Sequence, residues 1–115
     1  TVFTEIRHPD DKKVQFGAIS LETGDVLFEG MENEERWLTG IETSYNGVLL
    51  LHNYQSEAAP VHKGLTAGDL SGKIIWSNYT HAFEHLSVNG PVVYDTRMQP
   101  RKLLLADIKT GATKR

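Results

Sequence analysis

Residues 81–85 hold two histidines and a glutamate in the order His-x-x-Glu-His, a pattern found around the metal of some zinc enzymes. On a helix, His81 and His85 would lie on one face with Glu84 beside the metal. The neighbouring residues instead indicate a connector that enters a strand. Residues four apart in a strand are about 13 Å apart, which is too far to share an ion. We therefore predict no zinc site at this segment.

A second pair of histidines, His52 and His62, flanks residues 53–61, which we predict to form the loop of a hairpin. Facing side chains at these positions could share a metal. The sequence does not fix the register of the two strands, and surface or capping histidines are commoner than ligands. We predict that neither histidine holds a metal.

No recognised catalytic motif is present. The chain has no cysteine, which excludes disulfides, thiolate metal sites and cysteine nucleophiles. No glycine-rich phosphate loop, nucleophile elbow or Ser/His/Asp grouping is recognisable. The acidic groups at 10–11 and 32–35 lack the spacing of a calcium loop. We expect no cofactor, and the absence of these motifs favours a non-enzymatic function without excluding an enzyme.

Composition sets limits on the partners. The 115 residues carry 12 basic and 15 acidic side chains, a net charge of −3, so no nucleic-acid surface is indicated. A short basic end at 109–115 is typical of solvated chain. No apolar run approaches the roughly 18 residues of a spanning helix, so we predict no membrane insertion. The compartment, cytoplasmic or periplasmic, stays open.

Short β-branched, aromatic and leucine-rich runs alternate with turn residues about every ten positions. No stretch keeps the apolar spacing of a helix. Two Asn-Gly pairs, Asn46-Gly47 and Asn89-Gly90, predict hairpin turns of type I′, in which both central residues need a positive φ. The chain is therefore predicted to be all-β and antiparallel.

An internal repeat organises these strands. A Thr-Gly or Ser-Gly turn recurs at intervals of about 40–50 residues, the length of one propeller blade. The glycine lets one strand reverse into the next, a nearby Ser or Asp can bond the turn, and an aromatic follows four residues later. The shared positions are Ala18, Gly24 and Phe28 in the first copy, Ala67, Asp69, Gly72 and Trp76 in the second, and Asp107 and Gly111 in the third.

This pattern, Ala-x-Asp-x-x-Thr-Gly-Lys-x-x-Trp, resembles the repeat of quinoprotein-type (PQQ-like) β-propellers, and more loosely WD40-like blades and an uncharacterised bacterial propeller-like family of unknown function. The resemblance implies that the glycine and the aromatic dock adjacent blades. Ser20 replaces the Asp in the first copy, and Arg115 stands where the third aromatic is expected. Quinoprotein dehydrogenases often use a vicinal disulfide, which is impossible here, so the resemblance does not imply their activity.

We predict four-stranded blade-like sheets in a partial propeller of about two and a half blades. The single domain, 1–115, would comprise a partial unit at 1–30, a complete unit at 36–78 and a partial unit at 82–115. Propellers close with about 4–8 blades, so we expect either a piece of a longer chain or assembly with other copies. A β-sandwich with similar turns is the alternative fold.

The predicted function is a non-enzymatic scaffold or protein-interaction module. It would bind a protein partner or self-associate through unpaired edge strands. The alternative is part of a ligand-binding or enzymatic propeller, whose site would be completed by missing blades or by another subunit. The biological role, the ligand and the blade count are not fixed by the sequence.

Overall fold

The computed structural model describes residues 1–56, 58 and 61–114, and this part of the chain consists of strands, turns and connecting loops. Four residues lie outside this description: 57, 59 and 60 in the predicted 53–61 loop, and Arg115, where the third repeat aromatic is expected. The strands are β1 (Val2–His8), β2 (Lys13–Ile19), β3 (Val26–Met31), β4 (Thr39–Tyr45), β5 (Val48–Tyr54), β6 (His62–Gly68), β7 (Ile74–Asn78), β8 (His81–Ser87), β9 (Gly90–Asp95), β10 (Leu103–Ala106) and β11 (Thr113–Lys114).

The strands form three antiparallel sheets in which each strand pairs with its neighbours in sequence. Sheet 1 contains β1 to β3, sheet 2 contains β4 to β7, and sheet 3 contains β8 to β11. The prediction of an all-β chain built from antiparallel, blade-like sheets is confirmed. Among the described residues, no helix is long and apolar enough to cross a membrane.

Sheet 2 lies between the other two sheets, and its sequence shows why. The run Val48-Leu49-Leu50-Leu51 is almost fully buried, because a sheet covered on both faces needs apolar residues at successive positions. Leu49 and Leu51 pack with sheet 1, whereas Val48 and Leu50 pack with sheet 3. The alternation of side chains along β5 thus joins two separate cores.

Each core fills the space between two neighbouring sheets. The core between sheets 1 and 2 is built from Val14, Phe16, Ala18, Phe28, Met31, Leu49 and Leu51. The core between sheets 2 and 3 is built from Val48, Leu50, Leu65, Ala67, Val93, Ala106 and Ile108. Sheets 1 and 3 therefore each bury one face inside the chain and turn the other outward.

The layered arrangement gives an extended shape. The Cα radius of gyration is 14.2 Å, against about 13 Å for a compact domain of this length. The principal extents are 44 × 34 × 18 Å. An open stack with two outward faces accounts for this shape.

The two Asn-Gly hairpins differ. In the first, Tyr45 pairs with Val48, and Asn46 and Gly47 both have positive φ (49° and 76°), as a type I′ turn requires. In the second, Ser87 pairs with Gly90, so the turn residues are 88 and 89. The placement of Asn89-Gly90 as the central pair is corrected by one residue. Its positive φ, 127°, is taken by the glycine that starts β9.

Candidate functional sites

The three repeat turns hold their glycine in the same backbone conformation. Gly24, Gly72 and Gly111 have φ values of 75°, 83° and 77°, in the left-handed region that favours glycine. The amide of Gly72 donates to the carbonyl of Asp69, and that of Gly111 donates to the carbonyl of Asp107. In the first copy Gly24 donates to the carbonyl of residue 20, four residues back as in the third copy, so the second turn is one residue shorter than the other two.

The aspartates of the second and third copies also hold their turns through the side chain. Oδ1 of Asp69 accepts hydrogen bonds from the hydroxyl and amide of Ser71 and from the amide of Lys73. The hydroxyl of Ser71 and the amide of Lys73 lower the pKa of Asp69, and the smaller effect of desolvation does not reverse this. Oδ1 of Asp107 accepts in the same manner from the amides of residues 109 and 110.

The repeat aromatics pack on the glycines of the next sheet. A Cβ built on Gly72 would lie 3.0 Å from ring atoms of Phe28, and a Cβ on Gly111 would lie 2.7 Å from ring atoms of Trp76. The indole Nε1 of Trp76 also donates a 2.7 Å hydrogen bond to the carbonyl of Ile108. Phe28 belongs to sheet 1 and Trp76 to sheet 2, so each aromatic covers the turn glycine of the sheet that follows it. No side chain larger than hydrogen fits at either glycine without displacing the ring.

Gly24 is the exception in this series. A Cβ built there would have no atom within 4 Å in the part of the chain that the structure describes. The turn is otherwise like the other two, so the position that receives an aromatic in sheets 2 and 3 is uncovered in sheet 1.

The outer face of sheet 1 continues from this turn. Core residues 14, 16 and 18 of β2 point toward sheet 2, so Gln15, Gly17 and Ile19 point outward. They pair with Ile6, Thr4 and Val2 of β1, which share that side. We define the outer face of sheet 1 as these six residues together with Val26, which pairs with Ile19. A groove of about 310 Å³ runs over its centre beside Thr4 and Gly17.

The outer face of sheet 3 is also apolar. Leu104 of β10 packs into the core beneath, so its neighbours Leu103 and Leu105 point outward. They pair with Tyr94 and Val92 of β9. We define the outer face of sheet 3 as these four residues. The guanidinium of Arg101 stacks 3.9 Å from the centre of the Tyr94 ring.

A second candidate site lies at one end of sheet 2, where Glu42, His52 and His62 come together. Glu42 is an extra residue in β4, because Ile41 and Thr43 pair with consecutive residues of β5. The pairing of β5 with β6 is also irregular just after His62, around Gly64, whose φ is 102°. Such bulges redirect side chains, and here the carboxylate of Glu42 and the two imidazole rings come into contact.

Both imidazoles face the carboxylate. Nδ1 of His52 lies 3.1 Å from Oε2 of Glu42, and Nδ1 of His62 lies 3.5 Å from Oε1. The rings stack with their centroids 3.7 Å apart and their planes 10° apart, and Tyr54 packs edge-on against both. The His52 side chain is 6% exposed and that of Glu42 is 13% exposed, whereas that of His62 is 39% exposed.

The charge on Glu42 is stabilised by its neighbours. Burial alone would raise the pKa of Glu42, but the hydrogen bond and charge of His52, followed by those of His62, outweigh it and lower the pKa. Nε2 of His52 is buried and has no hydrogen-bond partner within the described part of the chain. A Cβ at Gly40 would lie 3.1 Å from this nitrogen and 3.2 Å from Oε1 of Glu5, so a side chain at this position would crowd both groups.

A buried polar network supports the strand that carries His52. Nδ2 of Asn33 donates to Oγ1 of Thr39 and to Oδ1 of Asn53, each at 3.0 Å. The hydroxyl of Thr39 in turn donates to the carbonyl of His52 at 2.9 Å. Sequence reasoning missed Glu42 and this network, because no local pattern marks a bulge or a buried amide.

The His-x-x-Glu-His segment lies apart from these sites. His81 and His85 lie on strand β8, and Glu84 forms an ion pair at 3.0 Å with Arg101 on the loop before β10. His52 and His62, for which no shared metal was predicted, do face each other. The other repeat residues, Ala18 and Ala67, are buried in the two cores.

Residues 1–76 match the family model described as a domain of unknown function (DUF4905). This match covers more than half of the chain, spanning sheet 1 and nearly all of sheet 2, so the chain belongs to that family. No curated protein and no solved structure matches the chain. The resemblance to quinoprotein-type repeats is therefore wrong as a family assignment, since no such family matches. The turn motif that carried it is short and follows from how glycine turns dock any stacked sheets.

Proposed function

We propose that this protein is a non-enzymatic scaffold that assembles with copies of itself by continuing its own stack of sheets. In this arrangement, the outer face of sheet 3 of one copy packs against the outer face of sheet 1 of the next. The uncovered turn at Gly24 is the observation that carries the proposal. In the described chain, each of the other two repeat turns is covered by an aromatic side chain of the preceding sheet. Gly24 therefore marks the place where the sheet of another copy would pack.

The apolar character of both outer faces supports this contact. Ile6 is 56% exposed and Leu103 is 47% exposed. Both are apolar residues on the outer faces, and they alternate along their strands with residues that face a core. Burying apolar surface contributes about 25 cal/mol per Å². Sheet 2, which has a neighbouring sheet on each side, buries apolar residues on both of its faces.

Charge favours a head-to-tail orientation. The side of sheet 1 that carries Gly24 also carries Glu22, Asp25 and Glu29, whereas the last turn and the last strand of sheet 3 carry Lys109 and Lys114. Complementary charges mainly set orientation and association rate. Two copies joined head to tail would bring these groups near each other, whereas two sheet 1 faces would bring acidic groups together.

The contact uses faces of sheets, which differs from the edge strands that the sequence suggested. A head-to-tail contact leaves one free face at each end, so it grows into a ring or into an open chain of copies. A scaffold of this kind presents repeated copies of its loops along an extended surface.

Sedimentation velocity from about 1 µM to 1 mM, a range that covers weak protein association, tests the proposal. We expect the wild-type mass to rise above the 12.9 kDa monomer as concentration rises. Ile6→Lys, which places a charge on the outer face of sheet 1, should keep the protein monomeric. Val88→Lys is the matched control, because residue 88 is 91% exposed in the turn between β8 and β9 and should assemble as wild type does. A wild-type protein that stays monomeric throughout, or variants that behave alike, would refute the proposal.

A further inference from the structure

We propose that Glu42, His52 and His62 form a binding site for one divalent first-row transition ion of the zinc type. Each residue offers one donor atom, and the three donors lie within 4.8 Å of one another. Two imidazoles and one carboxylate are a donor set that zinc accepts, at about 2.0–2.2 Å from each atom. This site is independent of the outer faces that would mediate assembly.

The cluster lies at two irregularities in the pairing of the strands. Two separate irregularities, the bulge at Glu42 in β4 and the one just after His62 in β6, lie beside the two side chains that meet His52. Bulges are enriched next to functional sites because they aim side chains that a regular ladder would point away. A chance pair of surface histidines needs neither.

The imidazole rings of His52 and His62 are stacked, and this arrangement must change when an ion binds. An ion bound to an imidazole nitrogen lies near the plane of that ring. Two rings whose planes are 10° apart and whose centroids are 3.7 Å apart cannot both hold one ion in their planes, so one must turn. His52 is held by burial, whereas the 39% exposed His62 has room to rotate. Metal binding should therefore separate the two rings through movement of His62.

The buried ring nitrogen of His52 needs an acceptor when the ion binds. An ion on Nδ1, the atom that faces Glu42, leaves the ring proton on Nε2, and ligating histidines almost always donate that second N–H to a carboxylate, carbonyl or water. Nε2 has no hydrogen-bond partner within the described part of the chain. A Cβ on Gly40 would lie 3.1 Å from Nε2 and 3.2 Å from Oε1 of Glu5, so we assign Glu5 as the acceptor and as a positioning residue for the site.

Three protein ligands leave a zinc ion one further position. His62 lies at the exposed side of the cluster, so that position would face solvent. The proposal is limited to binding of the ion.

Calorimetric titration of the metal-stripped full chain with Zn²⁺, together with the visible spectrum of the Co²⁺ form, tests the site. We expect one ion per chain, and Co²⁺ bands typical of a tetrahedral site. Glu42→Gln and His62→Ala should each weaken binding by about tenfold or more, at least the loss seen when outer-shell partners of a metal are removed. Both side chains are outside the two apolar cores, so the variants should fold. His85→Ala, which removes an exposed histidine of β8, is the matched control and should bind as wild type does.

Nuclear magnetic resonance supplies a second measurement. Zn²⁺ should shift the ring signals of His52 and His62 and should leave those of His85 unchanged. Absence of Zn²⁺ binding at saturating concentration, or an equal loss in His85→Ala, would overturn the proposal. Ring signals of His62 that stay at their metal-free positions in the loaded protein would also overturn it, because His62 would then not be a ligand.

Discussion

Removal of the Trp76 side chain tests how the sheets are held together. The indole ring covers Gly111, where a Cβ would approach ring atoms to 2.7 Å, and its Nε1 donates to the carbonyl of Ile108. Trp→Ala at a buried position costs about 3–5 kcal/mol. Trp76 is only partly buried, so the low end of that range, about 3 kcal/mol, is the expected loss in the free energy of unfolding for Trp76→Ala.

A second substitution separates packing from hydrogen bonding. Trp76→Phe keeps a ring over Gly111, as Phe28 does over Gly72 in the preceding interface. It loses the hydrogen bond to Ile108, worth about 1 kcal/mol, and the part of the indole that a phenyl ring does not replace. Trp76→Phe should therefore retain most of the stability that Trp76→Ala loses.

Urea unfolding followed by far-ultraviolet circular dichroism measures both values without relying on the fluorescence of the residue that is changed. Two outcomes would refute the docking role of the aromatic. One is a loss below about 1 kcal/mol for Trp76→Ala, which is ordinary for any point mutant. The other is an equal loss for both variants, which would assign the whole effect to the hydrogen bond.

Three further predictions concern the turns and the buried network. Gly47→Val should destabilise the protein by about 1–3 kcal/mol, because φ is 76° there and β-branched residues are strained at positive φ; thermal unfolding would show it, and an unchanged midpoint would contradict the type I′ turn. Asp69→Asn should destabilise the protein near pH 6, and the destabilisation should become smaller below about pH 3.9, the ordinary pKa of Asp. The pKa of Asp69 is lowered in the folded state, so the stabilisation from its carboxylate is lost as the carboxylate is protonated. Urea unfolding at several pH values measures the difference in the free energy of unfolding, and a difference that does not depend on pH would contradict this prediction. Asn33→Leu should cost about 2–3 kcal/mol, because the buried oxygen of Asn53 loses its donor; a denaturant midpoint equal to that of wild type would contradict the network.

The sheets were predictable because their turn signals are local. The turns at Gly24, Gly72 and Gly111 need a positive φ whatever the rest of the fold is, and the short apolar runs between them predict strands. The second Asn-Gly pair was placed one residue late, because the same dipeptide can stand at the centre of a turn or at its end. Family membership could not be read from the turn motif, since any stacked sheets with an aromatic over a glycine produce it.

The histidine cluster was not predictable for a physical reason. Whether His52 and His62 face each other depends on strand register, and a single inserted residue changes which side chains meet. The bulges that bring Glu42 and His62 to His52 follow from packing between strands and carry no sequence signature of their own. Only the pair of histidines around a hairpin loop hinted at the site.

The central claim is head-to-tail stacking of the outer faces, and a mixing experiment tests it most directly. Ile6→Lys blocks the outer face of sheet 1, and Leu103→Lys blocks the outer face of sheet 3. Light scattering should find each variant monomeric alone. An equimolar mixture should give a dimer of about twice the 12.9 kDa monomer mass that grows no further, because each copy contributes its one intact face. A mixture that stays monomeric at concentrations where the wild-type protein assembles, or a single variant that dimerises by itself, would contradict the account.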